Sequence, residues 1–476
     1  MKKNIILILL VILSLSGCGV FKDMHREYEP SALISGEGVF GITPDVLTVH
    51  GDSSMALMSW REFFTDPLLQ RLIEQALEKN TDLNSARIAI EMSEASLYAA
   101  KKAYLPSVYF SPSGSISSFD FGKVNAIYNV PLQVNWDLDA FGSLFNKKHA
   151  AQARLLQSQA REDAVRANLI STVAQQYYML QLLDRELEIL NATDSLWHAS
   201  LEIDKVLWEN GKIYSTAVNQ LEASYLSVKT LMVDARSNIR SVENAICQLL
   251  AESPHHIERS SWGTSALPEH PGSGSGQRIF DNQYIQLGVP ATMIELRPDI
   301  RLANLAMAEA FYNTQDARSA FYPSLSLQGA IGWTNNAGGA VINPGKILLN
   351  ALASLTQPIF ARGKIKAQHK IAQLTEQDLQ RRYVQTVIDA GNQVNEALSQ
   401  CQAAREKFGY YHRQIEVLKQ AYVGTHELMD NGKANYLEVL TAQESLLNAQ
   451  LDEANCMHDG AQAVIALYIA LGGATR

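Results

Sequence analysis

The sequence predicts an α+β membrane chain in which long helical hairpins are joined to four β-strands, too few to close a barrel unless several copies share one. Three observations carry this prediction. The chain is written twice, its prolines leave two long stretches empty, and short segments ahead of each empty stretch alternate apolar with polar residues. With 476 residues, 47% of them hydrophobic and 19% charged, the chain is ordered and not intrinsically disordered. Forty basic against 49 acidic residues give a net charge of −9 with no long basic run, so the phosphate-neutralising surface that nucleic acid requires is missing. A mean hydropathy of −0.09 argues against a bundle of membrane-spanning helices. It does not argue against a membrane β-barrel, whose alternating strands escape hydropathy averages.

The amino terminus predicts export. Lys2 and Lys3 precede an apolar run from Ile5 to Leu13, which is the layout of a signal segment and too short for a spanning helix. Leu15-Ser-Gly-Cys18 resembles a bacterial lipobox, so residues 1–17 are read as a cleaved signal and Cys18 as the lipidation site. Acyl chains there, at ~0.8 kcal/mol per buried CH₂, anchor the chain durably. Gly19 in place of an inner-membrane retention aspartate favours the outer membrane. Cys247, Cys401 and Cys456 are an odd, scattered set that reads as buried thiols, not as a disulfide framework or metal site.

The repeat is visible twice. Leu207-Trp-Glu-Asn-Gly-Lys212 recurs as Leu428-Met-Asp-Asn-Gly-Lys433, and extension to Thr230 and Leu451 gives seven identities in 24 positions at an offset of 221. Ala103-Tyr-Leu-Pro-Ser107 recurs as Ala320-Phe-Tyr-Pro-Ser324 at an offset of 217. The four-residue difference falls between Pro106 and Gly142, and a loop between two strands is its expected home. All fourteen prolines avoid residues 132–253 and 359–476, which therefore read as helical hairpins turning at Gly211 and Gly432. Residues 143–210 and 364–431 each predict a helix of ~100 Å. Ala150, Ala153, Gln157, Ala160, Ala164, Ala167, Ser171 and Ala174 form a small-residue stripe of heptad spacing for close helix packing.

Ahead of each hairpin lie two strands. Val130, Leu132, Val134, Trp136 and Leu138 share one face, and Gln133, Asn135 and Asp137 share the other. Leu325, Leu327, Ile331 and Trp333 oppose Ser324, Ser326 and Gln328 in the same way. Further strands are expected near 107–117 and 347–360. Four strands cannot close, and an open edge in lipid leaves backbone groups unpaired, so three chains sharing one twelve-stranded barrel is the arrangement expected.

Several segments resemble the TolC/OprM family of outer-membrane efflux ducts, in particular its lipoprotein branch serving RND-type tripartite pumps. These are Trp60-Arg-Glu-Phe-Phe-Thr-Asp-Pro-Leu-Leu-Gln-Arg-Leu-Ile73, Gly288-Val-Pro290, Glu295-Leu-Arg-Pro-Asp-Ile-Arg301, Gln357-Pro-Ile-Phe-Ala-Arg-Gly363 and Leu467 to Gly473. The resemblance implies a homotrimeric cannula, with a twelve-stranded outer-membrane β-barrel and a long periplasmic α-helical barrel. It also implies a periplasmic adaptor and an inner-membrane RND pump as partners, and a passive duct that uses no cofactor. The expected division is signal 1–17, acylated extension 18–60, first repeat 61–252, connector 253–290 and second repeat 291–476. By the same resemblance, Leu437, Glu438 and Thr441 fall at the periplasmic gate, where the family carries two acidic rings and this chain keeps only Glu438. Ala434 stands where some members carry a locking arginine. Gly211, Lys212, Gly432 and Lys433 are the expected tip contacts for the adaptor.

Two other classes compete with this reading. An enzyme finds little support: residues 36–41 fit G-x-G-x-x-G without the strand and helix that a dinucleotide site needs, and His255-His256 lacks further metal ligands at the right spacing. A lipid-anchored periplasmic coiled-coil scaffold leaves Trp136 and Trp333, placed like interfacial aromatics, unexplained. Within the duct reading, a type I secretion channel is the alternative.

Overall fold

A computed structural model describes residues 25–29, 58–118, 120, 122, 124–261, 297–334, 347–431, 433–434 and 436–473. The signal segment with Cys18, the 36–41 motif, Gly288 to Pro290, Gly432 and most of the connector lie outside the described residues. In chain order the elements are α1 (Trp60–Phe63), α2 (Pro67–Lys79), α3 (Thr81–Lys102), β1 (Ser107–Phe110), β2 (Ser113–Ser117), β3 (Asn125–Leu138), α4 (Ser143–Glu209) and α5 (Ser215–Leu249). The second series is α6 (Pro298–Ser319), β4 (Ser324–Thr334), β5 (Ile347–Thr356), α7 (Lys364–Asp430) and α8 (Tyr436–Ala470).

The repeat is written into helix lengths. α3 and α6 both have 22 residues, α4 and α7 both 67, and α5 and α8 both 35. Strand register locates the extra four residues. Ser107 faces Asn135, 28 residues on, whereas Ser324 faces Thr356, 32 residues on, so the insertion lies inside the second hairpin. Each serine hydroxyl donates to the carbonyl of its partner, at 3.0 and 3.4 Å.

The chain forms two compact units, residues 1–33, 88–160 and 301–385 in one and 34–87, 161–300 and 386–476 in the other. The first holds an antiparallel sheet in the order β1-β3-β4-β5, with β2 also on β3. β1 and β2 are one strand interrupted. Ser107 pairs with Asn135 and Ser113 with Asn129, so the register runs unbroken across the gap at Ser111 and Pro112. Pro131 lies opposite that gap and has no N–H to give; its carbonyl accepts from Ser111 N at 3.3 Å, so its missing donor also points toward the broken strand. The β3–β4 ladder from Asn129 to Leu138 is therefore untouched. In the same unit Tyr28 donates through its hydroxyl to Asn304 at 2.9 Å and through its N–H to the Tyr312 hydroxyl at 3.2 Å, tying residues 25–29 to α6.

The second unit is built around a core where α1 to α3 meet the long helices. Asp66 caps α2 by accepting from Leu68 N at 2.9 Å, with Pro67 at the first helical position. Its other oxygen accepts from the buried Tyr177 hydroxyl at 2.6 Å, and burial together with that carboxylate pushes the Tyr177 pKa up to about 12. Phe63 stacks on Tyr468 at 4.0 Å between ring centroids, and Trp60, Leu69, Ile73, Ile170, Val173 and Ile465 complete the buried cluster. Arg297, from the Arg-Pro-Asp motif, is buried: it pairs with Asp299 and donates to Ala470 O at 2.6 Å and to Gln393 Oε1 at 2.7 Å. The motif is thus a pin that joins the start of α6 to α7 and to the carboxyl end of α8. Along α4, Ala150, Ala153, Ala160, Ala167, Ser171 and Ala174 of the predicted stripe are buried.

The ends of α5 and α8 share one cap with different residues. Glu252 N donates to Cys247 O at 2.9 Å and Gly473 N to Tyr468 O at 3.0 Å, the six-to-one bond of a Schellman motif. The residue before each is left-handed: Ala251 at φ 54° and Gly472 at φ 87°. An L-residue pays about 1 kcal/mol for that conformation and glycine does not. Ala251→Gly should therefore stabilise the chain by about 0.5–1 kcal/mol, and Gly472→Ala should destabilise it by a similar amount. Thermal melting followed by helical circular dichroism checks both signs.

Candidate functional site

The sheet separates its side chains by chemistry. Register places Val108 and Phe110 of β1 beside Val134 and Leu132 of β3, these beside Gly329 and Ile331 of β4, and the last beside Ala351 and Leu349 of β5. Trp136 pairs with Leu327 and Leu138 with Leu325, which pairs with Leu355. One apolar face thus crosses every strand. It is also uncovered within the chain: Phe110 is 65% exposed, Leu349 76% and Leu355 67%. An apolar surface this broad marks a site that meets lipid or another protein. The opposite face carries serine hydroxyls and the amides of Gln133, Asn135, Gln328 and Asn350. Trp136 and Trp333 lie toward opposite ends of the apolar face, and the Trp136 indole donates to Tyr104 O at 2.9 Å. From Leu327, the partner of Trp136, to Trp333 is about 20 Å along β4, inside the ~25 Å apolar band of a membrane barrel. Among the described residues no helix is long and apolar enough to cross a membrane.

The helical hairpins turn where the repeated Asn-Gly-Lys stands. Gly211 has φ 70°, and Lys212 N donates to Leu207 O at 2.9 Å while Gly211 N donates to Trp208 O at 2.8 Å, a complete Schellman cap. Lys433 N repeats the first of these bonds to Leu428 O at 2.8 Å; Gly432 itself lies outside the described residues. Asn210 and Asn431 each donate through Nδ2 to the carbonyl four residues back, at 2.7 Å in both turns. Lys212 and Lys433 are exposed. Leu437 and Glu438 occupy the exposed first turn of α8, and Thr441 is exposed with its hydroxyl donating to Leu437 O at 2.8 Å. A carboxylate in a first helical turn also suits the helix dipole, a structural benefit independent of any pore.

A contact that sequence reasoning missed ties the two hairpins together near these turns. Asp204 of α4 is buried and accepts a hydrogen bond from the Tyr436 hydroxyl at the start of α8. Around the pair, Leu201, Val218, Leu221 and Leu440 form a small buried cluster, and Ser224 donates to Glu444 at 2.8 Å. Burial raises the Asp204 pKa above the usual carboxylate value, the Tyr436 bond opposing it only in part, and burial likewise pushes Tyr436 up. No pattern within either segment marks the two residues as partners. Cys247, Cys401 and Cys456 are free and buried, and among the described residues no cluster of three or more metal-ligating side chains occurs. Burial pushes the thiols of Cys401 and Cys456 each to about 11, so they stay protonated and inert.

Residues 72–252 and 289–473 match the family described as outer membrane efflux protein. Over 97% of its length the chain is 26% identical to the cation efflux system protein CusC of Escherichia coli, 98% of which is covered. It is 25% identical to the probable outer membrane lipoprotein SilC of Salmonella typhimurium, with 97% of each chain covered. A crystal structure of CusC superposes with a TM-score of 0.79 over 94% of this chain and 99% of that one, at 25% identity.

The Asp204–Tyr436 contact yields a pH dependence with a defined sign. Because the folded state raises the Asp204 pKa, it holds the proton more tightly than the unfolded state does, and the stability contributed here is lost as pH rises from the ordinary value of 3.8 through the raised one, through the cost of burying the charge. Asp204→Asn, neutral and still able to accept from Tyr436, should slow amide exchange around Leu201 and Leu440 at neutral pH relative to wild type. Tyr436→Phe, which strands the buried carboxylate, should accelerate it. Hydrogen exchange read by mass spectrometry at a fixed pH compares the three proteins.

Proposed function

On the premise that this chain belongs to the outer membrane efflux protein family, we propose that it is the outer-membrane channel of a tripartite efflux system, a passive exit duct completed by three copies of itself. One observation carries the assembly: the sheet is apolar on one exposed face, polar on the other, and open at both edges among the described residues. A lipid environment accepts the apolar face but not the open edges, since each unpaired backbone group there costs several kcal/mol. Neighbouring copies supply the missing partners if β5 of one protomer lies against the β1/β2 strand of the next. Three copies of four strand positions make twelve, within the range of closed membrane barrels, with the amides and hydroxyls of the second face lining water.

The remaining assignments follow from the same reading. Cys18, acylated after removal of residues 1–17, anchors each protomer in the outer membrane. The hairpin turns at Gly211–Lys212 and Gly432–Lys433 meet a periplasmic adaptor, which links the duct to an inner-membrane pump of the RND type. Leu437, Glu438 and Thr441 line the closed end, where three copies of Glu438 place one ring of negative charge. The duct supplies a path and no covalent chemistry, and the pump supplies the energy.

Two measurements test this reading. The purified protein should migrate as a heat-resistant oligomer in mild SDS, with a mass in detergent of three chains. A monodisperse monomer that retains its β-structure would overturn the assembly. In planar bilayers Glu438→Gln should lower the cation preference of the residual conductance, and Glu438→Lys should reverse it or block the current. Unchanged reversal potentials in both variants would return Glu438 to the role of an ordinary solvated helix residue.

A further inference from the structure

The polar face of the sheet is almost free of charge. Its positions are those that alternate with the apolar ones, and along all five strands they hold hydroxyls, amides and a few small or aliphatic residues. Asp137 is the single carboxylate or ammonium group on any of these strands. It sits near the end of β3, opposite Ser326 of β4, and it is exposed. No hydrogen bond or ion pair engages it among the described residues.

Its surroundings make that lack of partners specific. A cavity of about 850 Å³ in the same unit is lined by Asp137, Asp139, Asp316, Lys147 and Ser324 among others. The other two carboxylates are occupied. Asp139 caps α4, accepting from Leu144 N at 3.0 Å and Phe145 N at 2.7 Å. Asp316 accepts from Ser143 Oγ at 2.7 Å and lies 3.7 Å from Lys147 Nζ. Asp139 and Asp316 are thus held in place by the helix start, a hydroxyl and an ammonium, while the Asp137 carboxylate has no such structural duty.

We propose that Asp137 is the charge-selecting residue of the strand-built part of the duct, attracting cations and turning anions away along strands that carry no other charge. The inference rests on the barrel reading above, in which the polar face lines water and three copies of Asp137 form a ring. A carboxylate on strands that carry no other charge, with a low-dielectric layer behind it, weighs on the local potential because the wall focuses its field. The ring is distinct from the Glu438 turn: it lies on the sheet, its members come from β3, and its effect persists when Glu438 is neutral.

The test uses the full-length acylated protein in planar bilayers under a KCl gradient, comparing Asp137→Asn, Asp137→Lys and Ser326→Asp, each with Glu438 intact and with Glu438→Gln. Asp137→Asn should reduce the cation-to-anion permeability ratio at least about twofold and Asp137→Lys should invert it, the size expected of a carboxylate within several ångströms of the ion path. Ser326→Asp, which adds a second carboxylate across the register from the first, should raise the ratio. All three effects should shrink between ~0.1 M and ~1 M salt, as the screening length falls from ~10 to ~3 Å. If Asp137→Asn does not assemble, the Ser326→Asp result decides. Conducting channels whose ratio ignores these substitutions in both backgrounds would overturn the assignment of Asp137 and leave the barrel standing. Failure of the wild-type protein to form any conducting oligomer would instead overturn the barrel reading beneath it.

Discussion

A strand placed in hydrocarbon must pair both of its edges, because water is not there to satisfy an exposed N–H or C=O and each orphan costs several kcal/mol. In this chain β3 and β4 are paired on both sides, while the β1/β2 strand and β5 each keep one edge open among the described residues. The apolar face makes the constraint unavoidable, since the surface that suits lipid is the surface that forbids an open edge. Much of the local design protects the inner ladder. The break in the first strand and the proline of β3 lie opposite one another, so the donor that Pro131 lacks falls on the interface already broken and the ten pairs between β3 and β4 remain continuous.

Duplication solves the rest of the chain economically. One series of elements, a helix of 22 residues, a strand pair, a helix of 67 and a helix of 35, is used twice with the same lengths. The helices end by the same physical device at matching places: a left-handed residue admits the six-to-one bond that satisfies a terminal carbonyl. Asn-Gly-Lys performs it at the first hairpin turn, and Lys433 makes the same six-to-one bond at the second. At the far ends of α5 and α8 the copies have diverged, and Ala251 keeps the geometry that Gly472 adopts without strain.

Most carboxylates here are structural. Asp66, Asp139 and Asp299 accept from backbone N–H groups at helix starts, and Asp184 and Glu243 hold the largely buried guanidinium of Arg259, at 2.5 and 2.7 Å, so that the segment after α5 stays on α4 and α5. Asp204 is buried against a hydroxyl and gains from being protonated. Such groups shape the protein through the hydrogen bonds they accept. Charges able to act on a passing ion are the few without these duties, and their scarcity on the polar face gives each one weight.

The sequence alone determined the pattern of the fold, since proline exclusion, two-residue alternation and a repeat at offsets of 217 and 221 are local facts that need no partner to be read. It also located the hairpin turns, because an Asn-Gly-Lys that closes a helix does so through its own backbone. The interrupted first strand was less legible: 107–117 reads as one run, and only register shows that the gap at Pro112 preserves pairing. Asp204 and Tyr436 could not be joined from sequence, for a buried polar pair between distant helices leaves no periodic signal. Nor does any motif distinguish Asp137 from Asp139 or Asp316. Their separation into one available carboxylate and two occupied ones depends on which side chains lie within hydrogen-bond reach, and that is decided by how α4, α6 and β3 pack, not by the order of residues along the chain.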